Sequence, residues 1–294
     1  MSAPIRLLFV GGGKMAEALL GGILAGLPAS EHSTIAVVET LPGRREYLNT
    51  AFPGIRVADS MVGFIPEASV IAVKPGDVPG ACDQLRRAFD EVAVGTAAGT
   101  AVGVAADGLD GELGGRSRVL SIAAGVSIEQ LESWLGDRFA VVRSMPNTPA
   151  LVGKGAAALA GGSTATQADV QWAVSLLSTV GIAVVVPEAK LDAVTGLSGS
   201  GPAYVFLVAE ALIEAGVFVG LTREVAEALA KQTLLGAATL LSESSDDAPT
   251  LRANVTSPGG TTAAGLRALE SHGVRAAFID AVVAATNRSV ELRG

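Results

Sequence analysis

Histidine and cysteine are nearly absent from this 294-residue chain, which has two of the former, His32 and His272, and one of the latter, Cys82. One cysteine excludes an internal disulfide framework and fits a reducing cytoplasm. Cys82 stands beside Asp83 among helical neighbours, with no histidine close in sequence, which marks a structural thiol rather than a nucleophile. A hydrolytic triad needs a histidine within reach of its nucleophile, and both histidines stand near predicted element ends, where exposure is expected. No Cys/His/Asp group has metal-ligand spacing, so no metal is expected. Aromatic residues make up only 4% of a chain that is 49% hydrophobic, so the core must be built from Ala, Val and Leu. Basic residues are outnumbered 21 to 29, and the net charge of −8 argues against a nucleic-acid partner. The longest apolar runs, 92–106 and 194–209, are shorter than the roughly 18 residues of a membrane helix and are diluted by Gly, Ser or Thr. The apolar residues after Arg6 are interrupted by Lys14 and Glu17, so no secretory leader is expected.

The length suffices for two domains. Residues 5–10 (Ile-Arg-Leu-Leu-Phe-Val) form a short, nearly continuous apolar run, as expected of a parallel strand buried on both faces. Gly11, Gly12, Gly13, Lys14, Met15 and Ala16 follow at once, and then Leu19, Leu20 and Ile23 recur at helical spacing. This is G-x-G-x-x-A between a strand and a helix, the context of a dinucleotide fingerprint. Gly11 makes the tight turn, Gly13 lets the backbone approach a pyrophosphate, and Ala16 lets helix and sheet pack closely. A nucleoside-triphosphate loop fails, because Lys14 is followed by Met15 rather than Ser or Thr.

A second strand, 34–39, ends in Glu39, an acid placed to bind the adenosine ribose hydroxyls and favour NADH. Arg44 and Arg45 follow, and arginines there hold the 2′-phosphate of NADPH, unless they merely form a solvated helix start. The cofactor is therefore NADPH or NADH, with the choice open. A strand at 69–73 runs into Lys74, Pro75 and Gly76. Ligands of doubly wound sheets sit beyond the carboxyl ends of strands, so Ala72, Val73, Lys74 and Pro75 should face the cofactor. Lys74 is a catalytic base or a rim charge. Residues 106–116 read as a loop or surface insertion. Further strands are expected at 119–122, 141–142 and 182–186, with a helix at 167–180. Strands cease at Pro187, so 1–187 reads as the dinucleotide domain and 188–294 as a helical one.

In the rear half, helices are expected near 202–219, 223–242, 262–271 and 274–292. The first is apolar nearly all round, with Glu210 and Glu214 as a narrow polar stripe. Such a helix must be buried. A second copy of the chain would cover it in an interlocked dimer; the alternative is burial within its own domain. Pro258, Gly259 and Gly260 cannot sit inside a helix, and Thr261 and Thr262 open the next one. Read blandly this is a capped helix start, but it also offers hydroxyls and free amides suited to a carboxylate. With no strong acid–base apparatus, the cofactor would carry the chemistry on an acceptor already activated, such as a protonated imine.

Six ordered motifs make the whole chain resemble the pyrroline-5-carboxylate reductase family. They are the Gly11–Ala16 loop, Ala72-Val-Lys-Pro75, Ala123-Ala-Gly125, Met145-Pro-Asn-Thr-Pro149, Leu197-Ser-Gly-Ser-Gly-Pro-Ala-Tyr204 and Val255-Thr-Ser-Pro-Gly-Gly-Thr-Thr262. The resemblance implies an α/β, Rossmann-like doubly wound sheet followed by an all-helical dimerisation domain. It implies a cytoplasmic oxidoreductase of proline biosynthesis that reduces 1-pyrroline-5-carboxylate to L-proline with NADPH or NADH, as a dimer that often assembles into a decamer. By matching position, Gly11 to Ala16, Ala72, Lys74, Pro75, Ala124 and Asn254 would line the cofactor. Glu188, Gly260, Thr261 and Thr262 would hold the substrate, with Thr262 nearest the ring nitrogen, and Ser198, Gly199, Ser200 and Gly201 would close the pocket. Asp59 and Ser60 stand where many relatives have an asparagine, and 91–117 looks longer than usual in the family. A β-hydroxyacid dehydrogenase would place a lysine after the boundary, and 191–219 has none. A dinucleotide sensor without turnover would not need the Thr-Thr helix start.

Overall fold

The computed structural model describes residues 4–97 and 116–293. The expected loop at 106–116 falls outside these residues except for Arg116, as does most of the long stretch at 91–117. Contacts divide the chain into two compact units, Met1–Gly199 with Thr286–Gly294, and Ser200–Ala285.

The first unit is built on an eight-stranded sheet in the order β3-β2-β1-β4-β5-β6-β7-β8. Its strands are β1 (Leu7–Val10), β2 (Ile35–Val38), β3 (Arg56–Ala58), β4 (Ala68–Ile71), β5 (Ser117–Ser121), β6 (Phe139–Met145), β7 (Gly155–Gly161) and β8 (Gly181–Val185). The first six are mutually parallel; β7 runs antiparallel to β6, and β8 parallel to β7. In β1, β2 and β4 every residue is buried, because side chains that alternate across a parallel strand meet helices on both faces. Leu7 and Phe9 thus join one core with α1 (Lys14–Ala25) and α5 (Gln167–Ser178), while Leu8 and Val10 join the other with α3 (Val78–Ala97) and α4 (Ile128–Leu135). Helix α2 (Pro42–Ala51) links β2 to β3 and buries Leu48.

Cys82 is wholly buried in the second core, and burial pushes its thiol up to about 12, so it is the structural thiol expected. His272 is exposed, but His32 is half-buried, with Nε2 3.3 Å from the Leu27 carbonyl. The four-residue helix α6 (Leu191–Val194) and a π-turn at Thr195–Gly199 also belong to the first unit. Leu191 is buried beside Ile128, Ala158 and Ala160. Asp192, buried, accepts from Ser289 Oγ at 2.8 Å and pairs with Arg293 at 2.8 Å, which ties the chain's last residues back to this unit. Compactness therefore changes at residue 199, twelve residues beyond Pro187, because 188–199 is anchored to the sheet side.

The second unit contains α7 (Gly201–Phe218), α8 (Arg223–Glu243), α9 (Ala248–Asn254), α10 (Thr261–Ser271) and the start of α11 (Val274–Leu292). A Cβ on Gly216 would lie 2.9 Å from Ala226 Cβ, so α7 and α8 meet through small residues. Helix α9 was not expected; Asp247 caps it by accepting from Thr250 N, and Pro249 fits its first turn. No residue of α7 is buried within this chain, and Phe218 is 91% exposed, with Phe206 and Leu207 also open. Burial of α7 inside its own domain is thereby excluded. By length and composition the stretch Glu188–Phe218, which holds an 18-residue window of mean hydropathy 1.5, could also cross a membrane, but it is assembled from three short turns as well as α7.

Asp169 closes a capping box with Thr166 and pairs with Arg118 at 2.8 Å, while Arg118 lies 5.9 Å from the Trp172 ring. Burial opposes its ionisation, but hydrogen bonds from Arg118 and Thr166 outweigh that and lower its pKa. A carboxyl with a lowered folded-state pKa adds stability above its ordinary range and loses it as acid protonates it. Asp169→Asn should cost about 2–3 kcal/mol at neutral pH. The gap in Tm between variant and wild type should shrink below about pH 4, as thermal melts across pH will read.

Candidate functional site

The carboxyl ends of β1, β2, β4 and β5 lie side by side, and the sequence order reverses at β1, with β2 on one flank and β4 on the other. Such a switch point opens a crevice above the sheet. Gly11 turns the chain there with φ +98°, and a Cβ on it would sit 2.7 Å from the Ala72 carbonyl oxygen. Glycine is therefore required both by conformation and by the approach of β4. Around Gly13 the space is open: a Cβ there would find only the Ala72 oxygen, at 4.0 Å. Gly13 N-caps α1 without any side-chain cap, so the first-turn amides of that helix face the crevice unsatisfied by side chains. A phosphate fits this cradle.

Ala16 is wholly buried, and Met15 is half-buried and packs against the core. Ala72 and Val73 are half-buried after β4; Lys74 and Pro75 are exposed, with Lys74 preceding a 3-10 turn. Ala124 is exposed in the loop after β5. These residues gather at one edge, as expected.

Glu39 follows β2 and accepts from Gly12 N at 3.0 Å through one oxygen and from Leu41 N at 2.9 Å through the other. Arg44 is not a solvated helix start. Its Nε donates to the Gly12 carbonyl, and its Nη2 donates to the Gly13 carbonyl at 3.3 Å and to Glu17 at 2.6 Å. Arg45 donates to the backbone carbonyls of Glu39 and Thr40. Glu17 also accepts from Lys14 at 3.2 Å and Tyr47 Oη at 2.7 Å, and the Arg44 guanidinium lies 4.6 Å from the Tyr47 ring. Burial disfavours the Glu17 anion, but Arg44, Tyr47 and Lys14 outweigh it and hold the pKa at about 2. Sequence inspection missed this knot; its one local signal is the three-residue step from Lys14 to Glu17.

Further along the same unit, Glu188 Oε1 accepts from Ile128 N at 2.7 Å and from Arg143 Nη1 at 2.8 Å. Arg143 is buried, so Glu188 neutralises a charge from β6 as well as satisfying the start of α4. Asn147, also buried, donates to the Ser198 carbonyl at 3.0 Å and accepts from Ala156 N at 2.8 Å. It fixes the π-turn carrying Ser198 and Gly199, whose Cβ position lies 2.8 Å from Met145 Cε. Asn147 was not among the expected site residues, although it sits inside a quoted motif. Ser200 and Gly201 continue into α7 and are half-buried.

In the second unit, Gly260 N-caps α10 with no side-chain cap, and Thr261 and Thr262 occupy the first turn, exposed. The helix start is a glycine N-cap, without the side-chain hydrogen bond that Ser, Thr, Asp or Asn would add there. Neither hydroxyl takes part in a hydrogen bond among the described residues. Asn254 ends α9, exposed, with Nδ2 3.5 Å from Asp246. Among the described residues no group of histidines, cysteines and acids could hold a metal.

A family described as pyrroline-5-carboxylate reductase dimerisation matches residues 188–292. The chain is 40% identical to pyrroline-5-carboxylate reductase of Mycobacterium leprae, an alignment covering all of this chain and 98% of that one. It is 38% identical to the Arabidopsis thaliana protein of the same name, covering 97% and 94%. Among solved structures, a pyrroline-5-carboxylate reductase from Coxiella burnetii superposes with TM-score 0.83 at 33% identity, over 99% of this chain and 100% of that one. The Plasmodium falciparum pyrroline carboxylate reductase, solved with NADP bound, gives 0.76 at 28%, over 99% and 98%.

Open space beside Gly13 makes a clean test of the phosphate cradle. Gly13→Ala should leave the melting temperature nearly unchanged, because the added methyl meets no protein atom closer than 4.0 Å. Dinucleotide affinity, read by fluorescence titration, should fall about tenfold or more through loss of close backbone approach. Unchanged affinity would remove the cradle from the site.

Proposed function

The chain belongs to the pyrroline-5-carboxylate reductase family, and from that premise we propose which of its residues carry the reaction. It is an NAD(P)H-dependent oxidoreductase acting on a C=N bond, reducing 1-pyrroline-5-carboxylate to L-proline in proline biosynthesis. The single observation that carries the assignment of residues is the pair of uncapped helix starts, α1 behind Gly13 and α10 behind Gly260. Each presents unsatisfied amides and partial positive charge, suited to the pyrophosphate and the substrate carboxylate respectively.

When bound, the cofactor supplies the hydride that adds to the carbon of the C=N bond. The protein's part is to seat and orient. Gly11, Gly12, Gly13, Lys14 and the backbone of Met15 form the pyrophosphate seat, with Ala16 allowing close helix packing. Ala72 to Pro75 and Ala124 form the adjoining rim, with Glu39 and Arg44 at the ribose end. Lys74 serves as rim charge. Gly260 and Thr261 hold the carboxylate of the pyrroline, and the Thr262 hydroxyl hydrogen-bonds its ring nitrogen. Ser198 to Gly201 shape the substrate pocket on the support of Asn147. Glu188 acts with them through Oε2, which has no partner among the described residues, while its other oxygen keeps Arg143 and α4 in place.

The dimerisation segment accounts for the apolar face of α7, which a second copy covers, so the protein is a homo-oligomer. We place it in the cytoplasm, on the strength of its lone, buried Cys82.

Removing one positioned donor from a reacting group costs roughly two orders of magnitude in turnover. Thr262→Ala should accordingly lower kcat with pyrroline-5-carboxylate about 100-fold, with the dissociation constant for the reduced cofactor nearly unchanged. Parallel losses of turnover and cofactor affinity would take the ring nitrogen away from Thr262.

A further inference from the structure

The cofactor preference of this protein turns on who owns Arg44. A free arginine after the second strand is the natural ligand of a 2′-phosphate, whereas an acid at the strand end takes the ribose hydroxyls of NADH. Both are present here, and the geometry ranks them. Glu39 is fixed at the crevice by the Gly12 and Leu41 amides, and an ionised carboxylate with one donor on each oxygen still has lone pairs for a ribose diol. Arg44 lies against the glycine turn, but it is turned inward. Its Nε and Nη2 are engaged by the Gly12 and Gly13 carbonyls and by Glu17, and its side chain is only 18% exposed. Glu17 itself is 15% exposed and is braced from the other side by Lys14 and Tyr47. Arg45, the other cation, points its Nη1 at the backbone carbonyls of Glu39 and Thr40.

We propose that Glu17, which need not touch the cofactor, sets a preference for NADH by holding Arg44 away from the 2′-position. The inference rests on the dinucleotide seat proposed above. Glu17 is a positioning residue: it neutralises Arg44 and fixes its fork on the glycine loop, leaving Glu39 as the group that meets the adenosine ribose. A 2′-phosphate would face the Glu39 carboxylate, with the Arg44 fork already committed through Nε and Nη2 to the glycine loop and Glu17.

The test compares kcat/KM for NADPH and NADH, at saturating pyrroline-5-carboxylate, in the full-length enzyme. Wild type should favour NADH. Glu17→Gln keeps the shape and hydrogen-bonding reach of the side chain but drops its charge, and should raise the NADPH-to-NADH ratio about tenfold, through KM for NADPH rather than kcat. Glu17→Asp should return the ratio towards the wild-type value. Adding Arg44→Gln to Glu17→Gln should abolish the gain. A ratio unchanged within about twofold, an equal loss with both cofactors, or a gain that survives removal of Arg44 would overturn the proposal. Fluorescence titration of wild type with both reduced cofactors separates this from failure of the seat itself, in which case neither binds.

Discussion

Everything in the first unit follows from how closely the turn after β1 can approach the end of β4. Gly11 lies within a methyl group's width of the Ala72 carbonyl, at a positive φ that a side chain would strain. That approach sets α1 close above the sheet, aims its uncapped amides at the crevice, and lets Gly12 reach the Glu39 carboxylate. A larger residue at position 11 would move the helix, and with it the amides that suit an anion. The neighbouring glycines are not equivalent. At Gly12 a Cβ would strike Leu48 at 2.5 Å, so that position is closed by protein, whereas Gly13 borders open space. One is small for packing and the other for a ligand.

Around that turn the ionisable side chains are arranged by partner rather than by exposure. The guanidinium of Arg44 answers two loop carbonyls and one carboxylate; Arg143, deeper, answers Glu188. Buried cations without such partners would carry a heavy desolvation penalty, so each carboxylate stabilises the element that bears its cation. Glu188 illustrates the dual use of one side chain. Its Oε1 closes the structure between α4 and β6, which leaves the rest of the carboxylate fixed in direction. A group positioned by the fold needs little reorganisation when it meets a ligand.

Much of this is legible in the sequence. The strand–Gly11-Gly-Gly–helix pattern, the apolar runs of β1, β2 and β4, and helices α7, α8, α10 and α11 of the rear half declare themselves by local periodicity. Thr261 and Thr262 were legible because proline and two glycines stop one element and a helix starts at once. What stayed hidden depends on contacts across long separations. β7 reads Gly-Ala-Ala-Ala-Leu-Ala-Gly, small residues with no strand signature, and is a strand because β6 and β8 pair with it. For Arg44 the sequence leaves a 2′-phosphate ligand and a solvated helix start open, because its partner, Glu17, lies 27 residues earlier on another helix. Asn147 gave no sign that it would brace Ser198, 51 residues on. The compact boundary at residue 199 was hidden too, since the last residues return to Asp192 from the far end of the chain.

Helix α7 carries a consequence for how robust the protein is. None of its residues is fully buried within one copy, and the unit around it hides few apolar residues: in α8 only Ala226 and Ala230 are buried. Most of the driving force for folding this unit therefore has to come from association, and melting and dissociation become a single linked equilibrium. Heat resistance then depends on protomer concentration, so a cell that makes little of the protein holds a less durable version of it than one that makes much.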